Sequence, residues 1–173
     1  MTSAQFIQNT FGIESEKSQR WCSSVYADTK GNIFSYGRHY PLLFKAKGLT
    51  FRNCVGYSNT TAKHIGWAGM ADPLHIDVWV SGCNQYSWSN SENNGKIPQL
   101  LDAMRYADDT EALEQQIVDQ VMTDLDAELI DINNRIASKK RTDTKIYKAL
   151  LDERWDCLDR IASVRPYTTK GAK

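Results

Sequence analysis

The chain has 173 residues, enough for one domain or for one compact domain with an appendage. Its formal net charge is zero, so neither a protein that coats DNA nor one held on a membrane by net charge is indicated. No segment approaches the roughly 20 apolar residues that a membrane span needs, and the first residues lack a signal-peptide pattern. We therefore expect a cytoplasmic protein without membrane association.

The first half of the chain, residues 1–94, is predicted to form short strands that pair mostly antiparallel. Stretches rich in β-branched and aromatic residues alternate with turn signals, including Gly31 and the Lys-Gly pair at residues 47–48. The predicted strands cover residues 21–27, 33–37, 40–46, 49–58 and 74–82. Apolar and polar residues alternate most clearly in the last strand, whose apolar face carries Leu74, Ile76, Val78 and Val80.

Two short helices are predicted within this half. The segment at residues 3–11 has Ser3 as its candidate N-cap. The segment at residues 59–71 breaks the strand pattern, and its candidate N-caps are Asn59 and Thr60. We therefore expect helices beside the sheet already in the first half.

The second half, residues 95–173, has helical periodicity and follows a polar, turn-rich segment at residues 87–96. A short helix is expected at residues 97–107. Two long helices at residues 109–140 and 143–165 are expected to form an antiparallel hairpin, because the connection between them is short.

The first long helix carries a heptad seam, in which apolar residues recur at alternating spacings of four and three. The seam comprises Val118, Met122, Leu125, Leu129, Ile132 and Ile136. The second long helix has an apolar stripe made of Ile146, Leu150, Cys157, Ile161 and Val164. Such a seam packs against the neighbouring helix, the sheet or a second copy of the chain. The sequence is therefore compatible with a coiled-coil-like hairpin and with a homodimer.

Charge is distributed unevenly along the predicted hairpin. Acidic residues dominate residues 108–131, and basic residues dominate residues 135–148. Most of these charges are expected to pair within the molecule. Two functional interpretations remain: the acidic face binds a basic groove of a partner, or the basic tip contacts phosphates. The candidate binding residues are Asp124, Asp126, Glu128, Asp131, Arg135, Lys139, Lys140, Arg141 and Lys145.

The chain carries no metal or cofactor signature. No CxxC pair occurs, so the cysteines are expected to be small buried residues; they are Cys22, Cys54, Cys83 and Cys157. Phosphate-binding and dinucleotide-binding glycine motifs are missing, so no cofactor is predicted. A metal site would need three histidines to converge with a carboxylate, but no ligand spacing supports it. Those residues are His39, His64, His75 and Asp77.

Two stretches combine a glycine, a tyrosine, a basic residue and a histidine: SYGRHYPL at residues 35–42 and GYSNTTAKHIG at residues 56–66. An acid–base site would use the catalytic candidates Tyr36, His39, Lys63 and His64. No nucleophile, carboxylate or phosphate-binding loop accompanies them. A strand-and-turn corner, with tyrosine rings buried beside glycines, explains the same residues without chemistry. Arg38 and Lys63 are the residues of these stretches best suited to face a ligand.

The pairing of these two stretches resembles a pattern of small uncharacterised proteins of bacteriophages and other mobile elements. In that pattern a strand of the type Y-G-x-H-x-P-L is followed by G-Y-S-x-T-T-x-x-H, and the match covers roughly residues 33–66. The resemblance implies a phage or mobile-element origin, and therefore the cytoplasm of a host cell. Small proteins of that origin often bind host machinery, including defence systems. The resemblance implies no catalytic assignment.

The sequence thus predicts an α+β fold, in which a small, mostly antiparallel sheet region precedes a C-terminal helical hairpin. The first functional hypothesis is a non-enzymatic protein that binds a host protein or nucleoprotein complex, for example to inhibit a defence system. The second is a nucleic-acid-binding accessory protein that uses the hairpin tip together with Arg38, Arg52 and Lys63. The third is an enzyme with a Tyr/His/Lys acid–base site.

Overall fold

The structure is a computed structural model that describes residues 1–16, 20–38, 40–56, 58–80, 95–139 and 144–169. Within these ranges, six strands form one sheet whose order follows the sequence. They are β1 (Arg20–Cys22), β2 (Val25–Ala27), β3 (Ile33–Ser35), β4 (Pro41–Ala46), β5 (Leu49–Asn53) and β6 (Ile76–Val78). The pairs from β1 to β5 are antiparallel, whereas β5 and β6 are parallel. The predicted mostly antiparallel sheet is confirmed.

The helices are α1 (Ser3–Thr10), α2 (Asn59–Ala71), α3 (Lys96–Met104), α4 (Glu111–Ser138) and α5 (Thr144–Val164). A single 3₁₀ turn, Arg165–Tyr167, follows α5, as expected for a chain that meets Pro166. The long C-terminal helices confirm the predicted α+β class. None of the described helices is long and apolar enough to cross a membrane.

Residues 21–27 form a hairpin of two strands, so the single strand predicted there is wrong. β1 ends at Cys22 and β2 begins at Val25, and Ser23 between them has a φ of 56°. Glycine or asparagine usually marks a positive φ in such a turn. A serine stands here instead, which is why the sequence pattern did not reveal the turn.

The N-cap residues of α1 and α2 also differ from those predicted. Thr2 caps α1, and Ser58 caps α2 by accepting a hydrogen bond from the Thr61 N–H at 3.1 Å. Each capping residue has extended backbone just before the helix, as an N-cap requires. The predicted caps, such as Ser3, lie one or two residues too late because they already belong to the first turn.

The glycine turns occur where the sequence indicates them, and they differ in their surroundings. Gly31 has a φ of 79° and Gly48 a φ of 76°. A Cβ at Gly31 would lie 2.6–2.9 Å from backbone atoms of Gly12 and Ile13, whereas nothing lies within 4 Å of such an atom at Gly48. Gly31 is therefore required for close backbone approach as well as for its conformation.

Alanine at these two positions should separate the two effects. Gly48→Ala is expected to lower the free energy of unfolding by about 1 kcal/mol, because a side chain in the left-handed region is strained. Gly31→Ala should lower it by about 2–3 kcal/mol, because overpacking adds to the same strain. Urea denaturation of both variants measures the difference, and equal losses would contradict the close approach of Gly31 to the Gly12 backbone.

Helices cover both faces of the sheet. α1 and α2 contact each other and pack on β2, β4 and β5, while α4 packs on β4 and β6. Because side chains of a strand alternate between faces, β4 serves both layers. Lys45 lies 4.9 Å over the Phe11 ring beside α1, and Phe44 points to the opposite face. Buried residues from both halves of the chain form one hydrophobic core.

The strand predicted at residues 74–82 is shorter than expected. β6 covers Ile76–Val78, and Leu74 is exposed, so the apolar face begins later than the alternation indicated. Val78 and Val80 are buried as expected. Residues 81–94 lie outside the described part of the chain.

The predicted hairpin is present, with α4 and α5 packed on each other. Val118, Leu125 and Ile132 of the seam are buried, and the remaining seam residues are half-buried against the same core. The stripe on α5 is buried from Leu150 onwards, but Ile146 is exposed near the hairpin tip. The seam therefore packs within the chain, between the two helices and the sheet. Dimerisation through it would require the hairpin to open.

Candidate functional site

His64 lies at the centre of a polar cluster between α2 and the sheet. Its ring is almost sealed, with 2% of the residue surface exposed. Nδ1 lies 2.7 Å from the Ser35 hydroxyl, and Nε2 lies 3.4 Å from the Ser24 hydroxyl. Since a serine hydroxyl either donates or accepts, both ring nitrogens are satisfied in either neutral tautomer.

Two aromatic rings complete this His64 cluster, which comprises Ser24, Ser35, Tyr36, His64 and Trp67. The ring centroids of Tyr36 and Trp67 lie 5.9 Å and 5.5 Å from that of His64. Burial lowers the pKa of His64, so the imidazole stays neutral near pH 7. A neutral imidazole between two hydroxyls has the groups of a general base, but the described residues leave almost none of the ring exposed. The arrangement instead ties α2 to β2 and β3.

The structure brings together only part of the predicted catalytic set. Tyr36 packs beside His64, whereas Lys63 points to solvent from the same helix. His39 lies outside the described residues, as does Tyr57 of the second stretch. Tyr36 has a φ of 60°, and its N–H donates to the Ser24 carbonyl at 2.7 Å.

The sequence did not reveal the two serines of the His64 cluster. They meet because β2 and β3 pair Val25 with Ser35, which places Ser24 and Ser35 at the same end of the sheet. Trp67 could have been inferred, since it lies three residues after His64 on a predicted helix. No spacing rule connects the serines to the histidine.

His75 and Asp77 belong to a separate network, so the predicted histidines take different partners. His75 Nδ1 donates to the Asp72 carbonyl at 2.5 Å, and Nε2 lies 3.3 Å from Asp77 Oδ1. Arg52 donates two hydrogen bonds of 2.7 Å to the Asp77 carboxylate. A Cβ at Gly69 would lie 2.1 Å from a terminal nitrogen of Arg52, so the end of the Arg52 side chain would have to shift. Within the described ranges, no group of three or more His, Cys, Asp or Glu side chains is placed to bind a metal ion.

Arg160 of α5 connects the hairpin to this network. It donates to both carboxylate oxygens of Glu128 on α4, at 3.0 and 2.6 Å, and to the Asp77 carbonyl at 3.1 Å. Burial lowers the pKa of Arg160, but the hydrogen bonds and charge of Glu128 raise it more, so the guanidinium stays charged. The pair is largely buried, with 11% and 19% of the two side chains exposed. The acidic candidate Glu128 is thus engaged in an internal ion pair.

The other acidic candidates on α4 are divided between internal contacts and solvent. Asp124 accepts a hydrogen bond of 2.8 Å from Gln120, and burial raises the pKa of its carboxyl group. Asp131 lies 3.7 Å from Arg135. Asp126 is exposed at a groove between α4 and the C-terminal residues. Asp126 is therefore the acidic candidate best placed to meet a partner.

The basic candidates at the hairpin tip are also divided. Arg135 pairs with Glu153 on α5 at 2.8 Å, so it closes the hairpin. Lys139 and Lys145 are exposed. Lys140 and Arg141 lie outside the described residues. Among the described residues of the tip, the lysines rather than Arg135 are therefore open to phosphates.

The described cysteines do not form a reactive site. Burial raises the pKa of the Cys54 thiol and of the Cys157 thiol to about 11 each, so both remain protonated near pH 7. Cys22 is half-buried, and Cys83 lies outside the described residues. Cys157 is buried as expected, whereas Cys54 is only half-buried.

Arg38 belongs to a surface that the sequence did not indicate, which we name the aromatic–arginine patch: Trp21, Arg38, Asp102, Arg105 and Tyr106. Arg38 and Arg105 both donate to Asp102 Oδ1, at 3.2 and 3.1 Å. The Tyr106 ring lies 5.3 Å from the Arg105 guanidinium, and the Trp21 ring packs on Tyr26 in a tilted arrangement, at 4.7 Å between ring centroids. Trp21 is 53% exposed and Tyr106 is 73% exposed. Three separate segments of the chain form this patch, so no local sequence motif could have predicted it.

Comparison of the chain with known protein families, with curated proteins and with solved structures gives no significant match.

Proposed function

We propose that the chain acts by binding a protein partner rather than by catalysis. The observation that carries the proposal is the aromatic–arginine patch. Tryptophan, tyrosine and arginine are the residues that dominate the binding energy of protein interfaces. Here Tyr106 exposes a large ring beside Arg105, and Trp21 exposes a second one beside Tyr26. Asp102 pairs with both Arg38 and Arg105.

The burial of His64 also favours binding over catalysis. His64 is sealed and neutral, and its hydrogen bonds end on serine hydroxyls of the sheet. A catalytic base must reach the proton that it abstracts. The cluster is better suited to stabilise the segment after β3 that contains Tyr36 and Arg38.

The proposed partner is a host protein, in keeping with the resemblance to phage and mobile-element proteins. A component of a defence system, alone or as a nucleoprotein complex, is the form of partner that this origin favours. Nucleic acid is the less favoured partner, because Arg38 and Arg52 are each paired with an aspartate. The hairpin contributes a second surface only through its exposed residues, such as Asp126 and Lys139.

Affinity capture from host lysate tests the proposal with two matched double variants. Trp21→Ala/Tyr106→Ala is expected to weaken the captured partner's affinity at least tenfold, because hot-spot side chains each contribute more than about 1 kcal/mol. Trp155→Ala/Tyr167→Ala removes the same residue types from exposed positions of the C-terminal helices and should leave affinity unchanged.

Equal capture by the two double variants and the wild type would reject the patch as the binding surface. Asp126→Lys tests the hairpin surface, because it reverses an exposed charge that has no ion pair among the described residues. Loss of binding only in Asp126→Lys would place the interface on the acidic helix instead. Circular dichroism of each variant confirms that the fold is intact.

A further inference from the structure

A groove lies between α4 and the residues that follow α5. The 3₁₀ turn Arg165–Tyr167 redirects the chain, and Thr169 then donates to the Asp119 carboxylate through its N–H at 3.0 Å and its hydroxyl at 3.1 Å. Gln115 donates to the same carboxylate at 3.3 Å. Asp119 therefore holds this segment beside α4, and a cavity of about 430 Å³ lies between the two.

The groove has the size and the lining of a small-molecule site. Cavities of about 300–1,000 Å³, with an apolar lining and a few polar groups, are typical of such sites. Met122 supplies apolar surface, and the hydroxyl groups of Thr123 and Thr169 belong to the same lining. The lining residues of α4 recur every three or four positions, so they form one stripe along the groove; they are Asp119, Met122, Thr123 and Asp126.

Two opposite charges of this lining are not used within the described part of the fold. Asp126 and Arg165 are exposed, and neither side chain has an ion pair or a hydrogen bond with any residue that the structure describes. Asp119, by contrast, has both carboxylate oxygens engaged by Thr169. Since Asp126 and Arg165 do not pair with each other either, the groove offers one acceptor for a cation and one donor for an anion.

We infer that this groove binds a small zwitterion, a free amino acid or a dipeptide, with its ammonium group on Asp126 and its carboxylate on Arg165. A guanidinium donates two parallel hydrogen bonds to a carboxylate, and an ammonium group donates to a carboxylate in the same charge-assisted way. A purely cationic ligand would meet Arg165 and a purely anionic one would meet Asp126, so like charges disfavour both. The groove shares no residue with the aromatic–arginine patch, and the inference goes beyond the proposed function.

Isothermal titration calorimetry with leucine and with alanyl-leucine tests the class of ligand. Saturable binding at millimolar concentration is expected for at least one of them, and the tighter of the two identifies the source of the zwitterion. Its N-acetylated form lacks the ammonium group, and its amidated form lacks the carboxylate. Each of these forms should bind about tenfold more weakly, because each loses one hydrogen bond between charged groups.

Two variants assign the charges to their residues. Asp126→Asn should weaken binding of the zwitterion about tenfold, and N-acetylation of the ligand should then cause no further loss. Arg165→Gln should have the same relation to amidation of the ligand. Asp131→Asn and Lys148→Gln remove like charges from exposed helix positions outside the groove and should bind like the wild type.

The inference is overturned if neither zwitterion binds, or if N-acetyl-leucinamide, which has neither charge, binds as tightly as leucine. Unchanged affinity in Asp126→Asn or in Arg165→Gln would also overturn it. So would much tighter binding of an end-blocked peptide with internal lysine and glutamate, which would assign the groove to a segment of a protein. Because the probes do not involve Trp21 or Tyr106, none of these results changes the outcome of the capture experiment on the aromatic–arginine patch.

Discussion

Replacing Arg160 by methionine is expected to lower the free energy of unfolding by about 3–4 kcal/mol, because it leaves a largely buried carboxylate without its charge partner. The lost guanidinium donates to Glu128 and to the Asp77 carbonyl, and so it joins α4, α5 and β6. Urea denaturation at neutral pH measures the loss. The large size follows from the burial of the pair rather than from its charge alone.

Two comparisons make this result specific. Arg135→Met removes the exposed pair with Glu153 and should have a much smaller effect, since exposed pairs contribute little. Glu128→Leu/Arg160→Met should recover much of the loss, because no buried charge then remains unpaired. A loss in Arg160→Met no larger than that in Arg135→Met would contradict the role of Arg160 as the link between hairpin and sheet.

Replacing His64 by alanine is expected to lower the free energy of unfolding by about 3 kcal/mol at pH 7.5, the usual cost of truncating a buried ring. The wild type should also lose stability as the solution is acidified. The folded pKa of His64 is depressed, so the unfolded chain takes up the proton first. The stability is therefore full above the unfolded pKa of about 6.5 and falls below it by up to about 1.4 kcal/mol per pH unit.

His64→Gln isolates this titration, because glutamine keeps hydrogen-bonding groups and has no charge to gain. The difference between the stability curves of the wild type and His64→Gln should be flat above pH 6.5 and should slope between pH 6.5 and 5. A flat difference throughout that range would contradict the burial of a neutral His64. If His64→Ala were as stable as the wild type, the cluster would not hold α2 to the sheet.

These results also bear on the enzyme hypothesis. A histidine that is neutral because it is sealed contributes to stability, and its removal should lower expression and binding only through the amount of folded protein. A catalytic His64 would instead be replaceable without unfolding but never without loss of activity. The free energy of unfolding and the activity of His64→Gln and the wild type, compared at pH 7.5, therefore distinguish a structural His64 from a catalytic one.

Periodicity was sufficient to predict most of the architecture. The glycine turn at Gly31, the strand pair around Gly48 and the helical hairpin follow from turn residues and from apolar spacing. The turn at Ser23 was missed because no glycine marks it. The parallel pairing of β6 could not be read locally either, because the α2 connection decides which way the strand returns.

The candidate sites were less predictable, because they depend on contacts between distant segments. Composition shows acidic and basic blocks, but only the structure shows that Glu128 is bound to Arg160 and Arg135 to Glu153. Likewise, Arg38 was recognised as a residue suited to bind an anion, whereas its neighbour Arg105 stands 67 positions later in the chain. A local motif cannot report such a pairing.

The dissociation constant of the captured partner, measured for the wild type, Trp21→Ala/Tyr106→Ala and His64→Gln, tests the account most directly. The double variant should bind at least tenfold more weakly, while folded His64→Gln should bind like the wild type at pH 7.5. If His64→Gln lost binding and the double variant kept it, the functional surface would lie at the His64 cluster and not at the aromatic–arginine patch.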